Sequence, residues 1–172
     1  MNLTDLKYIT QAGGPIDQNI RKYFLDYSKK NKVKFIVMYG QAEATSRMTF
    51  LPYENLQSKL GSVGIPIPGG KISIANKKKD IYSEGEIIYS GKNVSLGYAT
   101  NKDDLRKGDE NKGQLLTGDF GKLDTDGYLY ITGRKSRTVK ILGHRINLSD
   151  LDKLLKEQGY NCVCTGADNK VT

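Results

Sequence analysis

The sequence predicts a mixed α/β fold: the end of a parallel α/β layer over residues 1–58, a β-rich, small barrel-like subdomain over 59–135, and the truncated start of a small α+β domain over 136–172. Three observations carry this reading. A strand, helix and strand open the chain. Glycines and prolines then punctuate short apolar runs from Gly61 onward, and a one-sided helical pattern follows Asn147.

Taken in order, residues 6–10 read as a strand, and Gly13-Gly14-Pro15 breaks the chain before a helix at 17–30. Asp17 is the expected N-cap, and Ile20, Tyr23, Phe24 and Tyr27 fall at the spacing of one helical stripe. Residues 33–38 are apolar apart from Lys34 and form a second strand, which gives a parallel β-α-β unit. The loop 39–46 then leaves the C-terminal end of that strand, where open α/β sheets place their ligands. After Pro52 the texture changes to Gly61, Gly64, Pro66, Pro68, Gly69 and Gly70, with strand patterns at 71–75 and 85–90. Asp126-Gly127, between apolar runs at 120–123 and 128–131, predicts a tight hairpin with positive φ at both central residues. A short polar stretch at 134–138 leads to a strand at 139–142. A helix at 147–158 follows, capped by Asn147 or Ser149, with Leu148, Leu151, Leu154 and Leu155 on one face, and residues 160–165 read as a last strand. No internal repeat or low-complexity tract interrupts the chain.

Composition narrows the function classes. The 172 residues carry 27 Lys and Arg against 19 Asp and Glu, a formal charge of +8. Such a surplus suits nucleic acid, an anionic membrane face or acidic small molecules. Many of the lysines, among them Lys29, Lys30, Lys32 and Lys77 to Lys79, fall in expected turns without a recognition helix or stacking aromatics, so nucleic acid is not the expected partner. Two cysteines, Cys162 and Cys164, and one histidine make neither a disulfide framework nor an ordinary zinc set, which fits a reducing compartment. No run approaches membrane-spanning length and no leader pattern opens the sequence, so a cytoplasmic protein without a membrane span is expected.

The chemistry concentrates in residues 115–146. There Asp119 stands on a glycine corner, followed by Gly133-Arg134, Lys140 and Gly143-His144-Arg145. One carboxylate with a string of cations and glycines is what a nucleotide site needs.

Seven ordered motifs extend that reading: Gly13-Gly14-Pro15; Tyr39-Gly40-Gln41-Ala42-Glu43; Gly61-Ser62-Val63-Gly64 with Pro66; Gly85-Glu86-Ile87; Thr117-Gly118-Asp119; Gly133-Arg134; and the run from Lys140 through Gly143 and Arg145 to Ile146. Together they resemble the adenylate-forming enzymes, the superfamily of AMP-forming acyl-CoA synthetases and adenylation domains, over its later middle part. The resemblance implies a carboxylate substrate activated with ATP and Mg²⁺ to an acyl-adenylate, which is then passed to the thiol of CoA or of a carrier protein. It implies roles residue by residue. Tyr39, beside Gly40, would cover one face of adenine and the backbone of Gly13, Gly14 and Pro15 the other. Glu43 would bind Mg²⁺, since a hard cation takes carboxylate oxygen. Asp119 would accept the ribose hydroxyls, and Arg134 and Arg145 would contact ribose or phosphate oxygens. Lys140 and Gly143 would face the site in the thioester-forming step, with Ser136 at the hinge between them and the larger part. Glu43, Lys140 and Arg145 are thus the catalytic candidates.

The sequence departs from the family at Ala42, where a threonine hydroxyl is usual, and at Ser136, where an acid or lysine is common. The glycine- and hydroxyl-rich phosphate loop and the C-terminal lysine of the family have no match among these 172 residues. The chain alone is therefore expected to be incomplete for catalysis. The alternatives are a non-catalytic nucleotide-binding module, or one half of a split enzyme with a separate N-terminal partner.

Overall fold

The computed structural model describes residues 5–75, 84–142 and 144–172. Strand β1 (Tyr8–Gln11), helix α1 (Gln18–Asn31) and strand β2 (Lys34–Tyr39) form the expected unit, with β1 and β2 parallel and Gln11 beside Val37. Asp17 caps α1 by accepting the Asn19 N–H at 2.7 Å, as Asx residues do at helix starts. The buried face of α1 is displaced from the expected stripe. Arg21, Leu25 and Ser28 are buried, whereas Ile20 and Tyr23 are 48% and 63% exposed. The Arg21 guanidinium reaches the Ser62 carbonyl at 2.8 Å, and its aliphatic stem lies in a slot that hydropathy assigns to an apolar residue. Phe24 remains inward and stacks on Phe35 with centroids 5.0 Å apart.

Two short strands, β3 (Thr49–Phe50) and β4 (Ile65–Pro66), complete the first sheet in the order β1-β2-β3-β4. The chain re-enters at Gly64, whose φ is +91 and where a methyl would lie 1.8 Å from the Phe50 carbonyl oxygen. Only glycine fits a crossing that close.

The β-rich body is an antiparallel meander of β5 (Lys71–Ala75), β6 (Gly85–Ser90), β7 (Gln114–Leu123) and β8 (Leu129–Arg134), in that order. It is an open sheet and not the expected barrel, because β5 and β8 are its two edges and do not pair. The outer edge of β8 is taken by the first sheet instead: Leu129 donates to the Gly64 carbonyl and accepts from the Val63 N–H, both at 2.9 Å. Asp126-Gly127 sits in the β7–β8 hairpin, but only Gly127 has positive φ. The Asp124 carbonyl accepts from Gly127 and the Asp124 N–H donates to Tyr128, each at 3.0 Å. That pattern makes a three-residue loop with a glycine bulge rather than a two-residue turn. Asp124 drives the difference, its carboxylate accepting the N–H groups of Asp126 and Tyr128.

Beyond a 3₁₀ turn at Lys135–Arg137, β9 (Thr138–Ile141) and β10 (His144–Asn147) form an antiparallel pair that sets Arg145 beside Lys140. Helix α2 (Leu148–Glu157) is capped by Asn147, whose Oδ1 accepts the Ser149 N–H at 3.0 Å. Leu148 is buried, Leu151 and Leu155 are half-buried, and Leu154 faces out. The strand expected at 160–165 does not form. Cys164 is the buried residue there, and its backbone bonds to side chains: its N–H donates to Asp152 and its carbonyl accepts from Arg137 at 3.1 Å. Cys164, so engaged, has no backbone groups left for a ladder, and pairing begins only beyond it, where Thr165 and Thr172 exchange N–H···O bonds at 2.7 Å. The strands that do pair are β11 (Gly166–Ala167) and β12 (Lys170–Val171).

Two apolar clusters result. One runs through both sheets and includes Leu25, Phe35, Val37, Met48, Leu51, Ile87, Tyr89 and Leu129. The other is small and holds Val139, Leu148 and Cys164 with Ile141, Ile146, Leu151 and Leu155 around them. No helix among the described residues is long and apolar enough to cross a membrane.

Candidate functional site

Parallel pairing of β1 and β2 makes both strands leave the sheet on the same side, so Gly13-Gly14-Pro15 and Tyr39-Gly40-Gln41 emerge together. The first turn is solvent-exposed, with Gly13 at φ +90 and the Gly14 carbonyl held by the Gln11 side chain at 2.6 Å. The second folds tightly back. Ser46 donates to the Gln41 carbonyl and Met48 to that of Tyr39, each at 2.8 Å. A methyl at Gly40 would meet the Ser46 carbonyl oxygen at 2.3 Å. Thr45 and Ser46 both carry positive φ, a strained pair of the kind that clusters at functional sites.

Opposite this loop lies the Thr117-Gly118-Asp119 turn, which is a bulge in β7. Glu86 pairs with Phe120 and Ile88 with Leu116, so the single residue Ile87 faces three on the other strand. Gly118 takes φ +70 to make it possible. The Thr117 hydroxyl donates to the Ile87 carbonyl at 2.9 Å and accepts the Asp119 N–H at 3.1 Å. The bulge thereby aims the Asp119 carboxylate inward, leaving the residue 8% exposed.

Three donors converge on that carboxylate. The Tyr39 hydroxyl donates to Oδ2 at 2.7 Å and the Gln41 amide to the same oxygen at 2.9 Å. The Arg134 guanidinium stands 3.3 Å from Oδ1, its side chain 62% exposed. Gln41 also donates to the Thr117 carbonyl at 2.8 Å, locking the two loops together. Burial, with the neighbouring Asp119 charge, pushes the Tyr39 phenol far above its ordinary range, so it stays a donor. A carboxylate has about four acceptor positions. Three are filled here, one of them by an arginine that can swing away.

Glu43 follows on the same loop. Its Oε1 accepts the Tyr98 hydroxyl at 2.6 Å, and its backbone carbonyl accepts the Ser95 N–H at 2.7 Å. Asn93 donates to the Ala44 carbonyl at 2.8 Å. The Tyr98 hydrogen bond holds the Glu43 carboxyl below its ordinary range, with help from the Arg134 charge. No group of three or more His, Cys, Asp or Glu among the described residues could hold a metal ion. A Mg²⁺ on Glu43 fits that donor set, because Mg²⁺ keeps most of its waters and takes one or two carboxylates with substrate phosphates. Ala42 offers no hydroxyl, and the Thr45 hydroxyl is turned to the Ala44 carbonyl at 2.7 Å.

The structure thus brings Tyr39, Asp119 and Arg134 into direct contact, with Gly13, Gly14, Pro15, Gly40 and Glu43 on the loops around them. Lys140 is exposed on β9, and its backbone bonds to Asp168 and Asn169. Arg145 pairs with Lys140 across the hairpin, and Gly143 lies outside the described residues. Sequence reasoning passed over Gln41 and Tyr98. Gln41 follows Gly40 in the Tyr39–Glu43 motif, two residues before Glu43, and that neighbourhood was the available signal. Tyr98 is 55 positions from Glu43 and nothing in its spacing marks it. Cavities lie elsewhere: one of about 350 Å³ is lined by Phe120, Thr132, Gly133, Thr138 and Asn147, among others. The donor convergence on a buried carboxylate, and not cavity volume, marks the site.

The chain is similar to known proteins along most of its length. The AMP-binding enzyme family matches residues 1–99. The 2-succinylbenzoate–CoA ligase of Oceanobacillus iheyensis is 29% identical over 151 residues, which are 88% of this chain and 30% of that protein. The oxalate–CoA ligase of Arabidopsis thaliana is 37% identical over 121 residues, 68% of this chain and 23% of its own length. Among solved structures, the O-succinylbenzoate coenzyme A synthetase of Bacillus subtilis in complex with AMP superposes with a TM-score of 0.75 at 27% identity, over 95% of this chain and 34% of that one. The chain spans about a third or less of the length of these relatives, and within that span it belongs to the AMP-binding enzyme family.

Proposed function

We propose that this chain forms the adenosine-binding part of an AMP-forming carboxylate–CoA ligase. The parent reaction joins a carboxylate to ATP, releasing pyrophosphate and leaving an acyl-adenylate, whose acyl group then passes to the thiol of CoA or of a carrier protein. The observation that carries the reading is the Asp119 carboxylate, buried in a bulge and facing Tyr39, Gln41 and Arg134. In the loaded site the ribose hydroxyls would take the free lone pairs of Asp119 and displace Arg134 toward phosphate oxygen. Such hydrogen bonds to an ionised acceptor are about twice as strong as neutral ones. Tyr39 would lie on one face of adenine and the exposed 13–15 backbone on the other. Glu43 would hold Mg²⁺, which supplies positive charge against the phosphates when bound. Arg145, Lys140 and Gly143 would act from the C-terminal segment in the later step. The solved complexes of the Bacillus subtilis synthetase with ATP and magnesium ion and with its acyl-adenylate intermediate support the ligand class.

The proposed division is 1–58 and 59–135 within the large domain and 136–172 as the hinge and the beginning of the small one. The two separate apolar clusters support the last boundary. A cytoplasmic setting suits the free cysteines. A partner supplying the phosphate loop, whether on the same polypeptide or a separate one, completes the enzyme, and these residues alone are expected to have little ligase activity.

Calorimetric titration with AMP tests the reading. The wild-type chain is expected to bind, and Asp119→Asn is expected to bind at least tenfold more weakly, since one charge-assisted hydrogen bond is worth about 1.5–3 kcal/mol. Equal binding by the two proteins would remove the adenosine site from this cluster.

A further inference from the structure

The short segment joining the two apolar clusters divides its contacts between them. Arg134 pairs with Asp119 and Lys135 with Glu86 at 3.3 Å, so both are held by the larger body. Arg137 is held by the smaller one: it pairs with Asp152, and it donates to the Cys164 carbonyl and to the Ser149 hydroxyl. Ser136, exposed between these two sets, is the pivot position. Across this pivot two side chains reach back: the Thr138 hydroxyl donates to the Arg134 carbonyl at 2.9 Å, next to the pivot itself, and Asn147 spans the wider gap to β8. Asn147 turns its Oδ1 to the Ser149 N–H, capping α2, while its Nδ2 donates to the Thr132 carbonyl on β8 at 3.0 Å. Gly133 is the socket, since a methyl there would lie 2.7 Å from that same Nδ2. Around this bond the contact is loose. The cavity of about 350 Å³ lies between β8 and the smaller body, lined by Thr132, Gly133, Thr138 and Asn147 with others.

We propose that Asn147 is a positioning residue that latches the C-terminal body onto β8, with Gly133 as its seat. The two ends of one amide do separate work: the oxygen belongs to the helix and the N–H belongs to the docking. Undocking therefore breaks the Thr132 bond without uncapping α2, and the smaller body turns about Ser136 as an intact unit. Arg145, two residues before Asn147 on the same strand, is placed or withdrawn by the same movement. The proposal rests on the reading of 136–172 as a mobile domain, but not on nucleotide binding.

The test uses the chain as it stands. Trypsin cuts after Arg134, Lys135 and Arg137, so the rate of cleavage in this segment, followed by mass spectrometry, reports how often the body undocks when opening is fast relative to cutting. Asn147→Asp keeps a good cap and replaces the donor with a carboxylate facing a carbonyl. It is expected to leave helix content by circular dichroism unchanged and to speed cleavage roughly threefold to tenfold, the range for one net hydrogen bond. Gly133→Ala, which pushes the amide off its seat, is expected to give the same acceleration, and the double variant no more than either alone. Asn147→Ala, which loses both functions, is expected to lower helix content as well. Wild-type cleavage rates in both Asn147→Asp and Gly133→Ala would overturn the latch while leaving AMP titration, and the reading it tests, untouched. A double variant whose acceleration is the product of the two singles would overturn the shared seat.

Discussion

At the scale of single residues, the site is built by donors that have few alternatives. The Tyr98 hydroxyl reaches Glu43 across 55 positions, and its effect is electrostatic: a donor to the ionised form favours that form. Because the folded carboxyl sits below its ordinary range, the bond stabilises the protein above the unfolded-state pKa, and that contribution is lost as pH falls through the folded value. Tyr98→Phe is therefore expected to lower the melting temperature by no more than about 4 °C at neutral pH, with the difference from wild type vanishing in acid. A difference that stays constant with pH, measured by thermal melts from acid to neutral, would mean that Tyr98 acts by packing alone. The same residue scale shows what a sequence hides. Asp119 was legible as a functional acid from the glycine beside it. Its partner Gln41 was not singled out, because an amide has no charge or periodicity to draw notice. Arg21 was hidden for the opposite reason, its charge assigning it to the surface while Ser62 draws it inside.

Elements were legible where local chemistry decides them. Asp17 and Asn147 announce helices because their side chains satisfy the first free N–H groups, and Asp126-Gly127 announces a hairpin because the turn needs a left-handed residue. They were illegible where a distant partner decides. Residues 160–165 look like a strand, but Arg137 and Asp152 occupy the backbone of Cys164, the buried residue among them. The β-rich body looks as though it should close, but Gly64 takes the edge of β8. That junction concentrates on Leu129, fully buried, whose N–H and carbonyl both serve the first sheet while the Ser62 hydroxyl also donates to its carbonyl at 2.7 Å. Leu129→Ala is expected to cost about 2–5 kcal/mol by loss of buried volume. Urea unfolding would measure it, and a cost below about 1 kcal/mol would show that the two sheets are stabilised independently of this contact.

For the whole molecule, the order of seven motifs was enough to place the chain in its family, while the meeting of three of them at the Asp119 carboxylate came only with the sheets. Positions 39, 41, 119 and 134 meet because β2 and β7 are brought face to face by the shared core, a fact of topology that spacing along the chain does not encode. The same architecture leaves β1 at the end of its sheet, with no strand on its outer side among the described residues. Tyr8 on that strand and Ile20 and Tyr23 on the helix after it are exposed. A free edge of backbone donors and acceptors is a template for another copy. The charge of +8 opposes such pairing, and that repulsion reaches about 30 Å at 0.01 M salt but only about 3 Å at 1 M. Light scattering is expected to find the chain dispersed in dilute buffer and self-associating as salt is added, with Thr10→Lys on β1 reducing the association. Scattering that stays flat across that range would show that the edge is not adhesive. On this account the colloidal behaviour of this stretch of chain is expected to follow ionic strength, salt screening its charge and letting the open β1 edge pair.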